Sequence, residues 1–530
     1  EKGLTQVELG EKLGVSSKAV SKWENGVAYP RTATLKKLAT ILEVPVESLL
    51  CIEKTKPPSA PAKNETLPDL SAGEPLPQPH GTSPLPGSTA ARWGWRILGT
   101  LMLSLAAGSY TLSLYLPGGL WWLCLLVLLV PPLIWPARYT AAYPRRLRIC
   151  GNGAELLILF LSSTVLAGAP QLVLAFFLLP EQWVTWLIGA AVIYTVEATA
   201  FWGGILRVYL TSAQLGFRWR VWGIVCGFIP VAQLVVLCRI IAVTMQEAAF
   251  ESARRQREET RKAQQICKTR YPLLMIHGVF FRDSKLLNYW GRVPEALKAN
   301  GATVFYGNHQ SAASVEVGAK ELAARIRAIV EETGCQKVNI IAHSKGGLEC
   351  RYALAHLDVA PLVASLTTVN TPHRGCSFAD YLLKKAPDNL KDEIARHYNN
   401  VFGMLGDHDP DFLSAVNDLT AEACKAFDAA TPLPAGVFCQ SVGSRLNKPG
   451  GGRFPMNLSS RLAGFFDGPN DGLVVQNAFE WGQRYTLLTV HGRRGISHGD
   501  MIDLNRENLP EFDVREFYIG LVSDLKQRGM

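Results

Sequence analysis

Lys337-Val-Asn-Ile-Ile-Ala-His-Ser344-Lys-Gly-Gly347 decides the reading of this chain. A β-branched run feeds into a small-x-Ser-x-Gly turn and then into a helix. That is the shape of a nucleophile elbow, in which a serine sits on a tight strand-to-helix turn. The positions two before and two after it must then be small, as Ala342 and Gly346 are. A lone pentapeptide of this kind is weak evidence, so its surroundings matter.

Outward from the elbow, strands and helices alternate. Pro272 to Ile276 reads as a buried strand, Ser284 to Asn300 as a helix and Ala302 to Tyr306 as a strand. Val315 to Thr333 reads as a long helix, Lys337 to Ala342 as the strand before the elbow and Ser365 to Asn370 as another strand. Strand candidates return at Gly436 to Ser441 and Tyr485 to Val490. This βαβ rhythm predicts a mostly parallel sheet flanked by helices over residues 271–530.

Acyl transfer by a serine needs a base to take its proton, a carboxylate to hold that base, and N–H donors for the oxyanion. Ser344, Asp471 and His498 follow the order serine, acid, histidine. Asp471 lies in the turn Gly468-Pro-Asn-Asp-Gly-Leu-Val474, and His498 in Ile496-Ser-His-Gly-Asp500 after the last strand. Loops at strand ends are where catalytic side chains sit in such sheets. His491 is the rival base and Asp467 the rival acid. His343 is expected to point away from the turn, and His277 reads as structural. The oxyanion donors are expected to be the backbone N–H groups of Val279 and Lys345, with no chemical role for the Lys345 side chain. Residues 377–431 join two core elements and carry helical patterns, which suits a lid or a fixed cap.

The N-terminal half differs in kind. A mean hydropathy of +0.10 is high for a soluble chain, and the excess is local. Five apolar stretches, about Arg96 to Leu116, Gly118 to Trp135, Ala154 to Leu179, Trp183 to Leu206 and Trp219 to Met245, predict about five transmembrane helices in a membrane domain over 94–246. Arg92, then Arg138, Arg145, Arg146 and Arg148, then Arg207, Arg218 and Arg220 fall on one side, which makes that side cytoplasmic. Five spans would put the C-terminal domain outside, whereas the run from Arg254 to Lys262 in the charged helical connector 247–270 favours inside. A four-span topology settles the conflict another way, because Pro230 and Gln233 interrupt the fifth stretch. Glu197 inside the fourth stretch marks either a polar path or a contact with another helix. The net charge of +9 is accounted for by membrane orientation rather than by nucleic acid. The 11 cysteines show no C-x-x-C and no metal-ligand spacing, which excludes a zinc or redox function of that type.

Residues 1–52 read as short helices joined by a tight glycine turn, followed by a Pro/Ser/Gly-rich linker over 53–93. Leu4-Thr-Gln, Leu9, Leu13-Gly-Val-Ser16, Ser21-Lys-Trp-Glu-Asn-Gly26 and Pro30 resemble the Cro/C1-type, phage-repressor-like DNA-binding domain. The resemblance implies that the second helix enters the major groove, placing Ser17, Lys18, Ser21 and Lys22 near bases and Gln6 near a phosphate. The family's first helix is missing, so the natural N-terminus is expected upstream of Glu1.

The region from Tyr271 to about Leu504 resembles bacterial triacylglycerol lipases of the Pseudomonas/Burkholderia type. The residues that carry this are Met275-Ile-His-Gly278, the elbow with Arg351-Tyr352, Val369-Asn-Thr-Pro-His-Arg-Gly375, Asn470-Asp-Gly-Leu-Val474 and His498 with Asp500. The resemblance implies an α/β-hydrolase fold, carboxylic ester hydrolysis and the same roles for Ser344, Asp471 and His498. Ala342 stands where the family has glycine, and Lys345 where it has histidine or glutamine. No cofactor is required. The family's structural calcium would use Asp500, but no acidic partner precedes Asp471.

The expected architecture is thus multidomain: an all-α helix-turn-helix, an α-helical transmembrane bundle, then an α/β-hydrolase. The expected function is a membrane-anchored serine esterase or lipase acting on acylglycerol-type esters. Its partners would be lipid, membrane and DNA through residues 1–50, with a homodimer left open. The alternatives are a membrane-tethered transcription regulator whose hydrolase-like domain senses lipids, and an acyltransferase or phospholipase using the same triad.

Overall fold

The apolar runs of the C-terminal region become six strands in the computed structural model: β1 Leu273–Ile276, β2 Val304–Tyr306, β3 Val338–His343, β4 Val363–Val369, β5 Phe438–Ser444 and β6 Arg484–Leu488. All adjacent pairs are parallel, in the order β2-β1-β3-β4-β5-β6. β1, β3 and β4 are buried along their whole length. Both faces of a parallel sheet are covered by helices, so these strands read as continuous apolar runs without alternation. The structure describes residues 6–17, 20, 34, 37, 41, 89–114, 121–136, 143–279, 288–376, 379–380, 383, 387–404, 410–448, 468–492, 494–509 and 511–530.

Helices are numbered α1 Gln6–Leu13, α2 Thr89–Ala107, α3 Ser109–Ser113, α4 Trp121–Ile134, α5 Arg145–Thr211, α6 Gly216–Val225, α7 Pro230–Arg261, α8 Val293–Ala299, α9 Val315–Thr333, α10 Lys345–His356, α11 Asp388–Met404, α12 Phe412–Asn417, α13 Ala421–Ala430 and α14 Val514–Gln527. On one face of the sheet α8 and α14 pack Leu297, Phe517, Tyr518 and Val522 with Met275 and Ile341. On the other, α9 and α10 pack Leu322, Ile326 and Leu354 against Ile340 and Leu366. The helix expected over Val315–Thr333 has those bounds. Ala319, Leu322, Ala323, Ile326 and Ile329 form its buried stripe at helical spacing. Ser314 caps its start by accepting from the Val317 N–H, and Gly334 ends it with φ +66°. The strand order reverses between β1 and β3, and the crevice beyond their carboxyl ends is where such sheets hold a site.

In the middle of the chain, three described helical segments are long and apolar enough to cross a membrane: Arg145–Leu179, Glu181–Thr211 and Val231–Gln264. The first two are the arms of α5, which bends at Gln182 (φ −122°, ψ 40°). The arms run antiparallel. Gln171 pairs with Trp186, Ser163 with Glu197, and Arg146 with the Thr211 carbonyl. Glycine lets them approach closely, since a Cβ on Gly153 would lie 3.0 Å from the Gly204 carbonyl oxygen.

Buried carboxylates in this region have partners. Arg96 of α2 makes a two-bond pair with Glu155 at 2.8 and 2.9 Å. Glu197 accepts from the Ser163 and Thr164 hydroxyls, each at 3.0 Å, so it faces another arm of the bundle. Glu247 collects Arg146, Ser212 and two backbone N–H groups.

The fifth apolar stretch differs from the expectation of one span. It divides into α6 and α7 around a 3-10 turn at Cys226–Phe228 and an extended Ile229. Pro230 causes the break: it has no N–H to continue α6, while its fixed φ suits the first turn of α7. The first stretch breaks at Gly108 into α2 and α3, and the second is the 14-residue α4.

α7 runs without interruption into the expected connector as far as Arg261, and is tied to the hydrolase region. Glu251 accepts from Arg292, Asn508 and Arg515. Arg261 holds Glu516 through two bonds at 2.6 and 2.7 Å. Gln214, after α5, bonds the Arg506 carbonyl and the Asn508 N–H. In the N-terminal unit, α1 carries an exposed Gln6, Leu13 and Val20 are buried, and Ser17 is half-buried. Lys18, Ser21 and Lys22 lie outside the described residues, as do most of the linker and the rival acid Asp467.

Candidate active site

Ser344 sits between the end of β3 and the start of α10 with φ +56° and ψ −131°. A non-glycine residue held there costs on the order of 1–3 kcal/mol. The surrounding packing enforces it. The Ser344 N–H donates to the Val369 carbonyl at 2.9 Å, and a side chain at Gly346 would collide with the His277 carbonyl oxygen. Gly278 is equally constrained, because a Cβ there would lie 2.8 Å from the Ser344 Cβ. The β1 loop is therefore pressed against the elbow, with Val279 and Lys345 each one residue beyond the contact between Gly278 and Ser344. Neither amide donates to an acceptor among the described residues, as oxyanion donors should not.

His498 and Asp471 are brought together. The His498 Nδ1 lies 2.6 Å from Asp471 Oδ2, and the His498 N–H donates to the Asp471 carbonyl at 2.8 Å. The other carboxylate oxygen, Oδ1, accepts from the Leu473 and Val474 N–H groups at 2.9 and 2.8 Å. Asn370 Nδ2 donates to Oδ2 at 2.5 Å and also bonds Ser444. Asp471 is fully buried, so it is fixed as a charge-assisted acceptor for the imidazole. His491, the rival base, is exposed at the surface.

Three features of the site were not foreseen. His343 does not point away: its ring lies 4.4 Å from that of His498, centroid to centroid, and its Nδ1 is 2.7 Å from the Tyr289 hydroxyl. Burial and the neighbouring His498 hold the His343 pKa well below the usual range, so it packs against the catalytic candidate as a neutral ring. This places His498 beside the residue that precedes Ser344.

The Lys345 side chain, given no role above, is buried and ion-paired with Glu349 one turn later. It also donates to the Ala313 carbonyl at 2.8 Å. Glu349 in turn meets His309 Nε2 at 2.7 Å, and the His309 ring stacks on His277 at 3.9 Å. Burial alone would raise the Glu349 carboxyl, but the Lys345 ammonium and the His309 ring outweigh it and hold it at about 2. The two ring nitrogens of His277 lie 2.9 and 3.1 Å from the Gly278 and His309 carbonyls; burial keeps the ring neutral, so it donates to one of them, which anchors the loop that carries Val279. The Lys345/Glu349 spacing of i, i+4 was a readable signal; the approach of His309 was not. Asn370 is the third feature, a left-handed residue (φ +49°) closing a buried strand.

Over residues 411–431 the segment between strands is tied to the core. Asp418 accepts from the Val315 N–H at 2.7 Å, and Arg351 bonds Asp428 and Thr431. α11 reaches this layer through Tyr398 stacked on Phe412 at 4.5 Å. Asp500 is poorly suited to calcium. Its Oδ1 pairs with Arg494 at 2.9 Å and its Oδ2 accepts from the Ser497 N–H and hydroxyl. A cation there would face a guanidinium, and no group of three metal-ligating side chains occurs among the described residues.

Comparison with known proteins places both ends of the chain. A helix-turn-helix family model matches residues 1–49, and an alpha/beta hydrolase fold model matches residues 271–437. A triacylglycerol lipase of Pseudarthrobacter phenanthrenivorans is 37% identical over 177 residues, 31% of this chain and 54% of that protein. A triacylglycerol lipase of Vibrio cholerae serotype O1 is 28% identical over 290 residues, 50% of this chain and 90% of that protein. At the other end, the HTH-type transcriptional activator BcrR of Enterococcus faecalis is 43% identical over 53 residues, 10% of this chain and 26% of that protein. The chain spans about half the length of the first of these lipases.

Proposed function

We propose that this protein is a membrane-anchored serine hydrolase of carboxylic esters, acting on acylglycerol-type lipids. The observation that carries the reading is the 2.6 Å bond between His498 and Asp471, with the His498 ring packed on that of His343, the residue before a serine in the strained elbow conformation. His498 Nε2 takes the proton of Ser344 as its Oγ attacks the ester carbonyl. Asp471 holds Nδ1–H, fixing the tautomer and stabilising the imidazolium that forms. The Val279 and Lys345 amides receive the oxyanion. The proton passes from His498 to the leaving alcohol, and water then repeats the sequence to release the acid. Similarity to triacylglycerol lipases supports the substrate class.

The test is hydrolysis of p-nitrophenyl and glycerol esters by the full chain in detergent. Ser344→Ala should abolish it without altering thermal unfolding. Activity unchanged in Ser344→Ala would sink the proposal.

The contacts of the middle helices also support a sidedness. Arg146 at the start of α5 meets Thr211 at its end and Glu247 on α7. Arg207 reaches the Leu133 carbonyl at the end of α4. Arg96 near the start of α2 meets Glu155 near the start of α5. These termini therefore share the arginine-rich end, and with α6 and α7 turning back as a hairpin the hydrolase region emerges there too. By the positive-inside rule that end is cytoplasmic. The esters would then be drawn from the inner leaflet. Similarity over 53 residues to a transcriptional activator, with the helix-turn-helix match to residues 1–49, favours DNA binding by the first module as a second activity. Its test is loss of operator binding when Lys18 and Lys22 are replaced by alanine.

A further inference from the structure

A cavity of about 610 Å³ opens between α2, the end of α4 and the start of α5, far along the chain from Ser344. Its walls are divided by chemistry. Trp95, Trp135 and Leu159 give an apolar side, while Arg145, Arg148 and Asn152 give a polar one, and no carboxylate among the described residues lines it. Arg148 Nε and Asn152 Oδ1 are buried there without a hydrogen-bond partner among the described residues. Buried polar atoms are normally satisfied, so an unpaired donor and an unpaired acceptor on two residues that line one cavity call for a ligand that supplies both complements. The cavity also lies at the first turn of α5, which has no side-chain cap and no acidic residue, so its free N–H groups and dipole add to the positive field.

We propose that this cavity binds the head group of an anionic glycerophospholipid. The phosphodiester sits between Arg145 and Arg148, a head-group hydroxyl donates to Asn152 Oδ1, and the glycerol and upper acyl chain lie along Trp95 and Leu159. Tryptophan at this level is what a membrane interface favours. A free phosphate would meet the arginines but leave the apolar wall in water. The proposal rests on the reading of α2 to α7 as membrane-embedded.

Two experiments on the full chain separate the two ideas. Release from membranes by alkaline carbonate without detergent would overturn the membrane reading, and the lipid site with it; retention is the expected result. Protein then purified and stripped of lipid is heated with phosphatidylglycerol, phosphatidylcholine of the same chains, or inorganic phosphate. Phosphatidylglycerol should raise the melting temperature and the other two should not. The double variant Arg145→Gln/Arg148→Gln should weaken its apparent affinity by on the order of tenfold to a hundredfold. Equal stabilisation by phosphatidylcholine, full stabilisation by phosphate alone, or undiminished affinity in the double variant overturns the site. Asn152→Ala keeps both charges and covers the case in which the double variant does not fold. It should erase the preference for phosphatidylglycerol over phosphatidylmethanol, which lacks the hydroxyl, and an unchanged preference counts against the site.

Discussion

Replacing Asp471 by asparagine probes the site at the point where its geometry is most constrained. Oδ1 receives two backbone N–H groups, so the amide oxygen of an asparagine must face Leu473 and Val474. Its NH2 would then take the place of Oδ2, opposite His498 Nδ1 and the Asn370 NH2. Donor would meet donor at Asn370, and the imidazole would adopt the tautomer with its proton on Nε2, which cannot accept from Ser344. The carboxylate charge is lost as well. An ion pair about 4 Å apart at an effective dielectric of about 20 is worth about 4 kcal/mol, roughly a thousandfold in rate. With the wrong tautomer added, kcat should fall by about 10³–10⁴ while KM changes little. The assay is p-nitrophenyl butyrate hydrolysis by the full chain, with thermal unfolding as the folding control. A loss of less than tenfold in a folded variant would refute the assignment of Asp471 as the acid.

Other consequences follow from the same contacts. Gly346→Ala should force the His277 carbonyl to move, costing about 1–3 kcal/mol of stability and lowering kcat through the displaced Val279 loop; melting temperature and kinetics check it. Glu349, held at about 2 against an ordinary 4.5, contributes stability above pH 4.5 that is lost as pH falls toward 2, roughly 3 kcal/mol in all. Glu349→Gln should remove that acid-linked part and, by stranding the Lys345 ammonium, lower the melting temperature at neutral pH by several degrees. A C-terminal tag should resist protease added to intact spheroplasts and become cleavable on lysis; cleavage in intact cells would place the hydrolase region outside.

What could be read from the sequence follows the range of the forces involved. The elbow was legible because its constraint is local steric: a strand, a serine and small residues at fixed offsets. Asp471 and His498 were legible from chain order and from their turns, although their contact spans 27 residues. The helix over Val315–Thr333 announced itself through its cap, stripe and terminal glycine. His343 was misjudged because its direction depends on the approach of Tyr289 and the 498 loop, which no local pattern encodes. The same holds for His309 reaching Glu349 across 40 residues. At Cys226–Pro230 the interruption marked by Pro230 was legible, but hydropathy alone counts one span across it, where the backbone makes two helices. Glu155 and Glu247 drew no notice because their arginine partners lie 59 and 101 residues away.

The most direct test of the central claim is to treat the full chain with a fluorophosphonate probe and locate the adduct by mass spectrometry. A single adduct on Ser344, formed in step with loss of ester hydrolysis and absent in His498→Ala, is the predicted result. Hydrolysis that persists while Ser344 stays unlabelled would contradict it.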